Sequence, residues 1–424
     1  TRSRVRDARP AYLSDDAPTM IDPRLTRSAL ALVASATLAL TPMAALGAAD
    51  EDEPFLDQRL ISEAIELLQQ WYVDEDALTR ENLTVGAIRG MVEALGDDGH
   101  TQYLTEEEYK IERDVLQGRV AGIGVVLDQR SSAPLVIAVV DGSPADLEGL
   151  RSGDIIATVN DVETARLPEG ELADLIRGKP GSTVKLGIER AGATERETIV
   201  IMRRDVEIDP VSWAMAPGSD VGVIRIVQFS VGAGYQVREA VADAVESGAT
   251  GIVLDLRGNP GGLVTEMLNA AGAFLDGGVA FYERARDEAP EPIEIDPGRA
   301  VDADIPVVVL VDYGTASSGE ILAAALRDNG RASIVGEQTF GTGTILNNRR
   351  LTDGSAIRLA VREWLTPQGE AVFRVGLRPD EPASLPLGAM RLGPSELLVL
   401  TPMEFEGSDD VPLRRAVRLA EQGG

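Results

Sequence analysis

The sequence predicts an α/β protein in which a small helical module precedes an α/β core and a β-rich module is inserted between them. Three observations carry this. Within residues 50–117, apolar positions recur at three- and four-residue steps in "LISEAIELLQQWYV" and "LTVGAIRGMVEAL", as one face of a helix requires. Across 118–207 the pattern shortens to β-branched runs broken by glycine turns, such as "PLVIAVVDGSP" and "GSTVKLGIER", which reads as short strands. From 208 to 420, apolar strand runs alternate with helical stretches, the mark of crossover connections.

In the first module, "GDDGHTQYLTEEEY" is a turn cluster leading into a helix, with Thr105 and Glu108 spaced as a capping box. In the core, "DVGVIRIVQF" is a strand before the helical "YQVREAVADAVESG", and "GIVLDLRGNPGG" is a buried strand ending in a turn. The helical "LVTEMLNAAGAFL", the strand "IPVVVLVD" and the helix "SSGEILAAALRDNG" follow, the last stopped by Gly330. Residues 284–304, rich in acids and proline, read as a surface loop.

Composition narrows the chemistry. A chain of 424 residues with a formal charge of −29 repels phosphate backbones, so the expected partners are proteins or peptides and not nucleic acid. There is no cysteine and one histidine, His100, which excludes a thiolate nucleophile, a disulfide and a histidine-rich metal centre. No cofactor is expected. The N-terminal stretch from Met20 has two arginines (Arg24, Arg27), an apolar run and small residues before an acidic start, the pattern of a secretory signal. Residues 1–49 therefore read as an extension and signal peptide, with cleavage after Gly47 or Ala49, and the protein as exported, periplasmic or extracytoplasmic. The alternative is an uncleaved membrane anchor over residues 28–47.

Two stretches of the core can hold a reaction. In "VLVDYGTASSGEILAAAL", Ser317 stands at the mouth of a helix, where free N–H groups favour an oxyanion or nucleophile. The same letters, Ser317 with Glu320, also fit a structural capping box. In "LDLRGNPGGLV", the N–H groups of Gly261 or Gly262 could face an oxyanion, although a plain turn explains these glycines too. A third stretch, "TFGTGTIL", has glycines around Thr342 but lacks the lysine of a phosphate-binding loop.

The middle module, with "GIGV" at Gly122, Ile123, Gly124 and Val125 and then "GSPADLEGLRSGDIIATVN" and "GELADLIRG", resembles a PDZ domain of the bacterial protease type. That resemblance implies that the N–H groups of the "GIGV" loop receive a peptide's C-terminal carboxylate while the peptide adds as a strand. The order of "LDLRGNPGG", "VDYGTASSGEILAAAL", "VGEQTFGTGTIL" and "LTDGSAIRLAVREWLTPQGE" resembles the carboxyl-terminal processing peptidases of the S41 type, over residues 55–415. The resemblance implies a Clp-protease/crotonase-like core over 208–420, unstructured protein C-termini as substrates, Ser317 as nucleophile, and Gly261 or Gly262 with the Ser318 N–H as the oxyanion hole.

One part of the family pattern is missing. Its catalytic lysine falls at Thr342 and the glutamine that orients it at Leu346. A threonine hydroxyl is a poor proton acceptor near neutral pH, whereas a buried lysine can be tuned to act as a base. Lys110, Lys179 and Lys185, the three lysines of the chain, lie in the other two modules. The replacement base is expected at His100, since a histidine near this region serves in a tricorn-like branch of the superfamily, with Asp97, Asp98 or Glu108 to orient it. The plainer reading of His100 is a turn residue. The competing functions are a pseudopeptidase scaffold that binds peptides without turnover and a crotonase-like acyl-CoA enzyme; the export signal and the PDZ module argue against the second.

Overall fold

The computed structural model describes residues 56–97, 100–128, 134–139, 143–151, 153–167, 171–190, 196–297, 301–302, 304–386 and 389–423. The expected signal or anchor over 1–49, and Asp98, lie outside the described residues. The chain forms two compact units, Thr1–Glu75 and Asp76–Gly424. In the first, the helix Gln58–Trp71 is capped by Asp57, whose carboxylate accepts the N–H groups of Arg59 and Leu60.

The second unit opens with the helix Arg80–Glu93, capped by Thr79. The helix Glu106–Leu116 starts at the Thr105–Glu108 capping box, with Glu108 Oε2 accepting the Thr105 N–H at 2.6 Å. Between these helices the chain departs from an all-helical module. Gln102–Leu104 is a strand, antiparallel to Ala356–Leu365; burial of Tyr103 and Leu104 holds it there.

The β-rich module is tied at its neck by Arg119–Gly122 paired antiparallel with Arg204–Glu207. Entry and exit are thus neighbours, as an inserted domain requires. Beyond the neck, Val125–Asp128, Leu135–Val139, Ile155–Val159, Thr183–Glu189 and Glu197–Met202 form a sheet in that order, with the short strand Val162–Glu163 also paired to Ile155–Val159. Ile123, Val136, Ile156, Leu186, Ile188 and Ile201 fill its core.

The main sheet has the strand order Val211–Met215, Val221–Ile226, Gly251–Asp255, Val307–Val311, Ala332–Gly336, Glu381–Pro382. Its first pair is antiparallel and the others are parallel. "GIVLD" and "VVVLV" are unbroken apolar runs but for the terminal Asp255, because both faces of these strands are covered. On one face Leu254, Val307, Val309 and Val311 join a core with residues of the helices Ala233–Glu246, Val264–Ala271 and Ser318–Asp328. On the other, Val253, Val308 and Leu310 meet Leu413, Ala416, Val417 and Ala420 of the helix Val411–Gln422. The alternation follows the two-residue period of a strand.

A second sheet joins Gln102–Leu104, Ala356–Leu365, Val279–Arg284 and Glu291–Glu294, with Thr344–Arg350 also paired to Ala356–Leu365. The strand Glu291–Glu294 corrects the expectation of a loop over 284–304. Pro292 is tolerated because this strand is the sheet's edge, and the chain is held by Ile295, which is buried directly after it.

Candidate active site

The site forms where three parallel strands of the main sheet end and hand the chain to glycine-rich turns, the usual place for a ligand crevice in an α/β sheet. After Val311 the chain turns tightly into the helix Ser318–Asp328. Thr315 Oγ1 donates to Leu256 O at 2.8 Å and the Ala316 N–H to Asn259 O at 2.9 Å, so this turn is sewn to the turn after Gly251–Asp255. Ser317 then takes φ +51° and ψ −121°, a conformation that costs a non-glycine residue about 1–3 kcal/mol and is held only by its surroundings.

The holding group is Glu320. Its fully buried carboxylate accepts the Ser317 N–H at 2.9 Å, the Thr339 hydroxyl at 2.5 Å, the Gly341 N–H at 2.7 Å and the Thr342 N–H at 3.0 Å. Burial pushes the Glu320 carboxyl above its ordinary value, against these hydrogen bonds, which favour the anion. Glu320 thus closes its half of a capping box, but the Ser317 hydroxyl makes no hydrogen bond to its own helix or to any other described residue. Ser317 is half-buried, and its hydroxyl is not used by the cap.

Gly261 and Gly262 differ in what they offer. The Gly261 N–H donates to Asn259 Oδ1 at 2.7 Å and so is occupied, which corrects the expectation that it could face an oxyanion. Gly261 is needed for space instead: with φ +99°, a Cβ there would lie 2.7 Å from Ser317 Cβ and 3.0 Å from Ser318 N. The N–H groups of Gly262 and Ser318 have no hydrogen-bond partner among the described residues, while the Ser318 hydroxyl donates to Gly262 O at 3.0 Å. The two free donors are thereby held on adjoining strands of backbone.

The wall opposite is the loop 339–343. Gly341 (φ +92°) and Gly343 (φ +57°) press against the segment 373–376, where a Cβ on Gly343 would fall 2.3 Å from Phe373 Cα. Thr342 is buried, and Leu346 lies in a strand opposite Ala360. Neither side chain can accept a proton near neutral pH.

His100, 6% exposed, packs edge-on against Phe373 with ring centroids 5.3 Å apart. Its Nδ1 is 3.2 Å from Asp97 Oδ1, off the axis of a hydrogen bond, so both ring nitrogens are buried without a hydrogen-bond partner. Such an orphan pair is costly and calls for an explanation. Asp97 is itself anchored through Oδ2, which accepts the Thr101 hydroxyl at 2.7 Å. Glu108, also expected as an orienting acid, instead closes the Thr105 cap and faces Arg89 at 3.5 Å. No hydrogen bond joins His100 to Ser317.

In the β-rich module, the carbonyl of Ile123 accepts the Ala145 N–H at 2.8 Å and that of Gly124 accepts the Ser143 hydroxyl at 3.3 Å. These bonds pin the "GIGV" loop from the carbonyl side. The N–H groups of Ile123 and Gly124 have no partner among the described residues.

Beneath the site lies an ion network that sequence reasoning missed. Arg257 bonds Asp255 and, with one nitrogen at 2.9 and 3.0 Å, both oxygens of Asp410. Burial, the largest single influence, would raise the Asp255 carboxyl, but the charge and hydrogen bonds of Arg257 with the charges of Arg225 and Arg391 together outweigh it and hold Asp255 below its ordinary value. The signal for Arg257 was its charge directly after an apolar strand; its partner at 410 left no local trace.

Known proteins resemble this chain in sequence and fold. The profile of peptidase family S41 matches residues 220–383 and that of the PDZ domain residues 135–190. The chain is 35% identical over 341 residues to the carboxyl-terminal-processing protease of Synechocystis, covering 79% of each protein. It is 34% identical over 307 residues to the carboxy-terminal processing protease CtpA of Bacillus subtilis, covering 72% of this chain but only 65% of that protein. Among solved structures, the photosystem II D1 C-terminal processing protease superposes with a TM-score of 0.53 at 28% identity, over 80% of this chain and 99% of that one. A putative S41 protease from Bacteroides fragilis shares the fold at a TM-score of 0.55 and 18% identity, over 87% and 98% of the two chains. The chain belongs to the carboxyl-terminal processing peptidases of family S41, with a PDZ domain set into the peptidase core.

Proposed function

We propose that the protein is an exported serine endopeptidase that captures unstructured protein C-termini on its PDZ domain and cleaves them through an acyl-enzyme on Ser317. The observation that carries this reading is the strained Ser317, its hydroxyl uncapped, beside the unpartnered N–H groups of Gly262 and Ser318. In the reaction, Ser317 Oγ attacks the scissile carbonyl, and the oxyanion that develops is met by those two N–H groups. His100 takes the hydroxyl proton and returns it to the leaving amine, with Asp97 orienting the ring. Support for His100 is the pair of unpartnered nitrogens on a buried imidazole 3.2 Å from a carboxylate. No hydrogen bond joins His100 to Ser317 in this state, so this role requires the two side chains to come together on substrate binding. Export rests on the arginines and apolar run of the N-terminal stretch, and N-terminal sequencing of the protein from the extracytoplasmic fraction tests it.

Fluorophosphonate labelling of wild type, Ser317→Ala and His100→Ala tests the mechanism. Labelling of wild type alone is the expected result; labelling that survives in Ser317→Ala refutes the nucleophile. The replacement of the family lysine by Thr342, with His100 unbonded to Ser317, favours a second reading, a peptide-binding scaffold without turnover. A wild type that neither labels nor cleaves yet binds C-terminal peptides selects it.

A further inference from the structure

The first residue beyond the strand Val307–Val311 is Asp312, whose side chain is only 11% exposed. A single carboxylate oxygen, Oδ1, accepts two backbone N–H groups, Gly258 at 2.8 Å and Gly314 at 2.9 Å. Gly258 belongs to the turn that carries Gly262, and Gly314 to the turn that carries Ser317. The two backbones touch: a Cβ on Gly314 would fall 2.9 Å from Gly258 Cα. The second oxygen, Oδ2, accepts from Arg391 Nη2, and Arg391 Nη1 donates to Arg257 O at 3.1 Å. The guanidinium lies so close to the turn that a Cβ on Gly258 would meet Arg391 Nη1 at 2.7 Å. One buried oxygen therefore fixes the spacing of two turns, and a cation from a distant segment fixes the direction of that oxygen.

We propose that Asp312, directed by Arg391, is a positioning residue that sets the separation of the oxyanion-binding turn and the nucleophile. The proposal rests on the reading of Ser317 and Gly262 as an acyl-transfer site. Asp312 touches no reacting atom and acts through Gly258 and Gly314. Its removal relaxes both turns together, and a misplacement of about 1 Å at such a site costs on the order of 10²-fold in rate.

Asp312→Ala tests this, alongside the double variant Asp312→Asn with Arg391→Met. The double variant keeps an oxygen acceptor and removes the donor that would face the new amide nitrogen. Expected for Asp312→Ala is a loss of about 10²-fold in kcat and in fluorophosphonate labelling rate, with KM nearly unchanged. The double variant recovers at least about tenfold of that loss, the signature of an acceptor role and not of charge. Hydrogen exchange read on peptides covering 256–262 and 312–317 shows both losing protection in Asp312→Ala. An Asp312→Ala protein that labels at the wild-type rate overturns the proposal. So does a loss that resides in KM, or exchange that changes in only one turn. If wild type itself never labels, the acyl-transfer reading falls instead, and the exchange measurement still decides whether Asp312 clasps the two turns.

Discussion

Gly261→Ala separates the cost of backbone strain from the cost of blocking the site. At Gly261 the new Cβ would sit 2.7 Å from Ser317 Cβ, 3.0 Å from Ser318 N and 3.1 Å from Ala316 O. Ser317 is about 0.7 Å short of ordinary contact and must move, and Ser318 N, a proposed oxyanion donor, is covered. Losing such a donor costs about 10²–10³-fold in kcat, and φ +99° adds about 1–3 kcal/mol of strain. Gly330→Ala is the control. Gly330 has φ +71° with nothing within 4 Å of its Cβ, so it bears comparable strain without the block. By calorimetry Gly261→Ala should lose more stability than Gly330→Ala, because the overlap with Ser317 adds to the strain, and only Gly261→Ala should lose fluorophosphonate labelling, by about 10²-fold or more. Equal labelling rates in the two variants, or a loss of labelling that merely tracks stability, refutes the steric argument.

His100→Ala is expected to lower labelling by about 10²–10⁴-fold, the contribution of a general base. Adding Thr342→Lys should restore at least tenfold of it, and an unchanged double variant argues against a surviving lysine pocket. A peptide with a free C-terminal carboxylate should bind about 10–100-fold more tightly than its amide, the worth of a charge-assisted hydrogen bond lost at Ile123 or Gly124; equal affinities by calorimetry count against the loop. Asp255 has a folded pKa below its ordinary 3.8, so its stabilisation is present above pH 3.8 and is lost as pH falls through the folded value. Asp255→Asn, which leaves Asp410 as the remaining carboxylate partner of Arg257, should cost about 1.5–3 kcal/mol at neutral pH. Urea midpoints should show that gap closing below pH 3.8; a gap constant with pH excludes the linkage.

The periodicities of the sequence carried the strands and helices well, because a strand buried on both faces or a helix with one apolar face is a local pattern. Non-local facts were harder to read. Pro292 and its acidic neighbours looked like a loop because nothing nearby in sequence announces the pairing with Val279–Arg284. At Ser317 the letters S-x-x-E serve a cap and a nucleophile equally; only the backbone angle and the uncapped hydroxyl favour the second. Gly261 and Gly262 are the same letter, and what distinguishes them is the Asn259 side chain that takes one N–H and leaves the other. Asp312 was inside a stretch already suspected of chemistry, yet its role depends on Arg391, 79 residues away.

The fate of position 342 follows from the same distinction between backbone and side chain. Glu320 holds the loop 339–342 through the Gly341 and Thr342 N–H groups and the Thr339 hydroxyl. None of these bonds involves the side chain at 342. The wall of the site, and the strained turn at Ser317 that the same carboxylate secures, can therefore persist whichever residue stands there. Shape and side-chain chemistry at 342 are separable in this architecture: the residue there can change without loosening the turn at Ser317. On the proposed mechanism the buried His100, packed against Phe373, needs only to gain access to a site already formed. Thr342→Lys is therefore expected to keep the hydrogen bonds of the loop to Glu320, and because Thr342 is buried its effect on labelling is read against His100 with stability measured alongside.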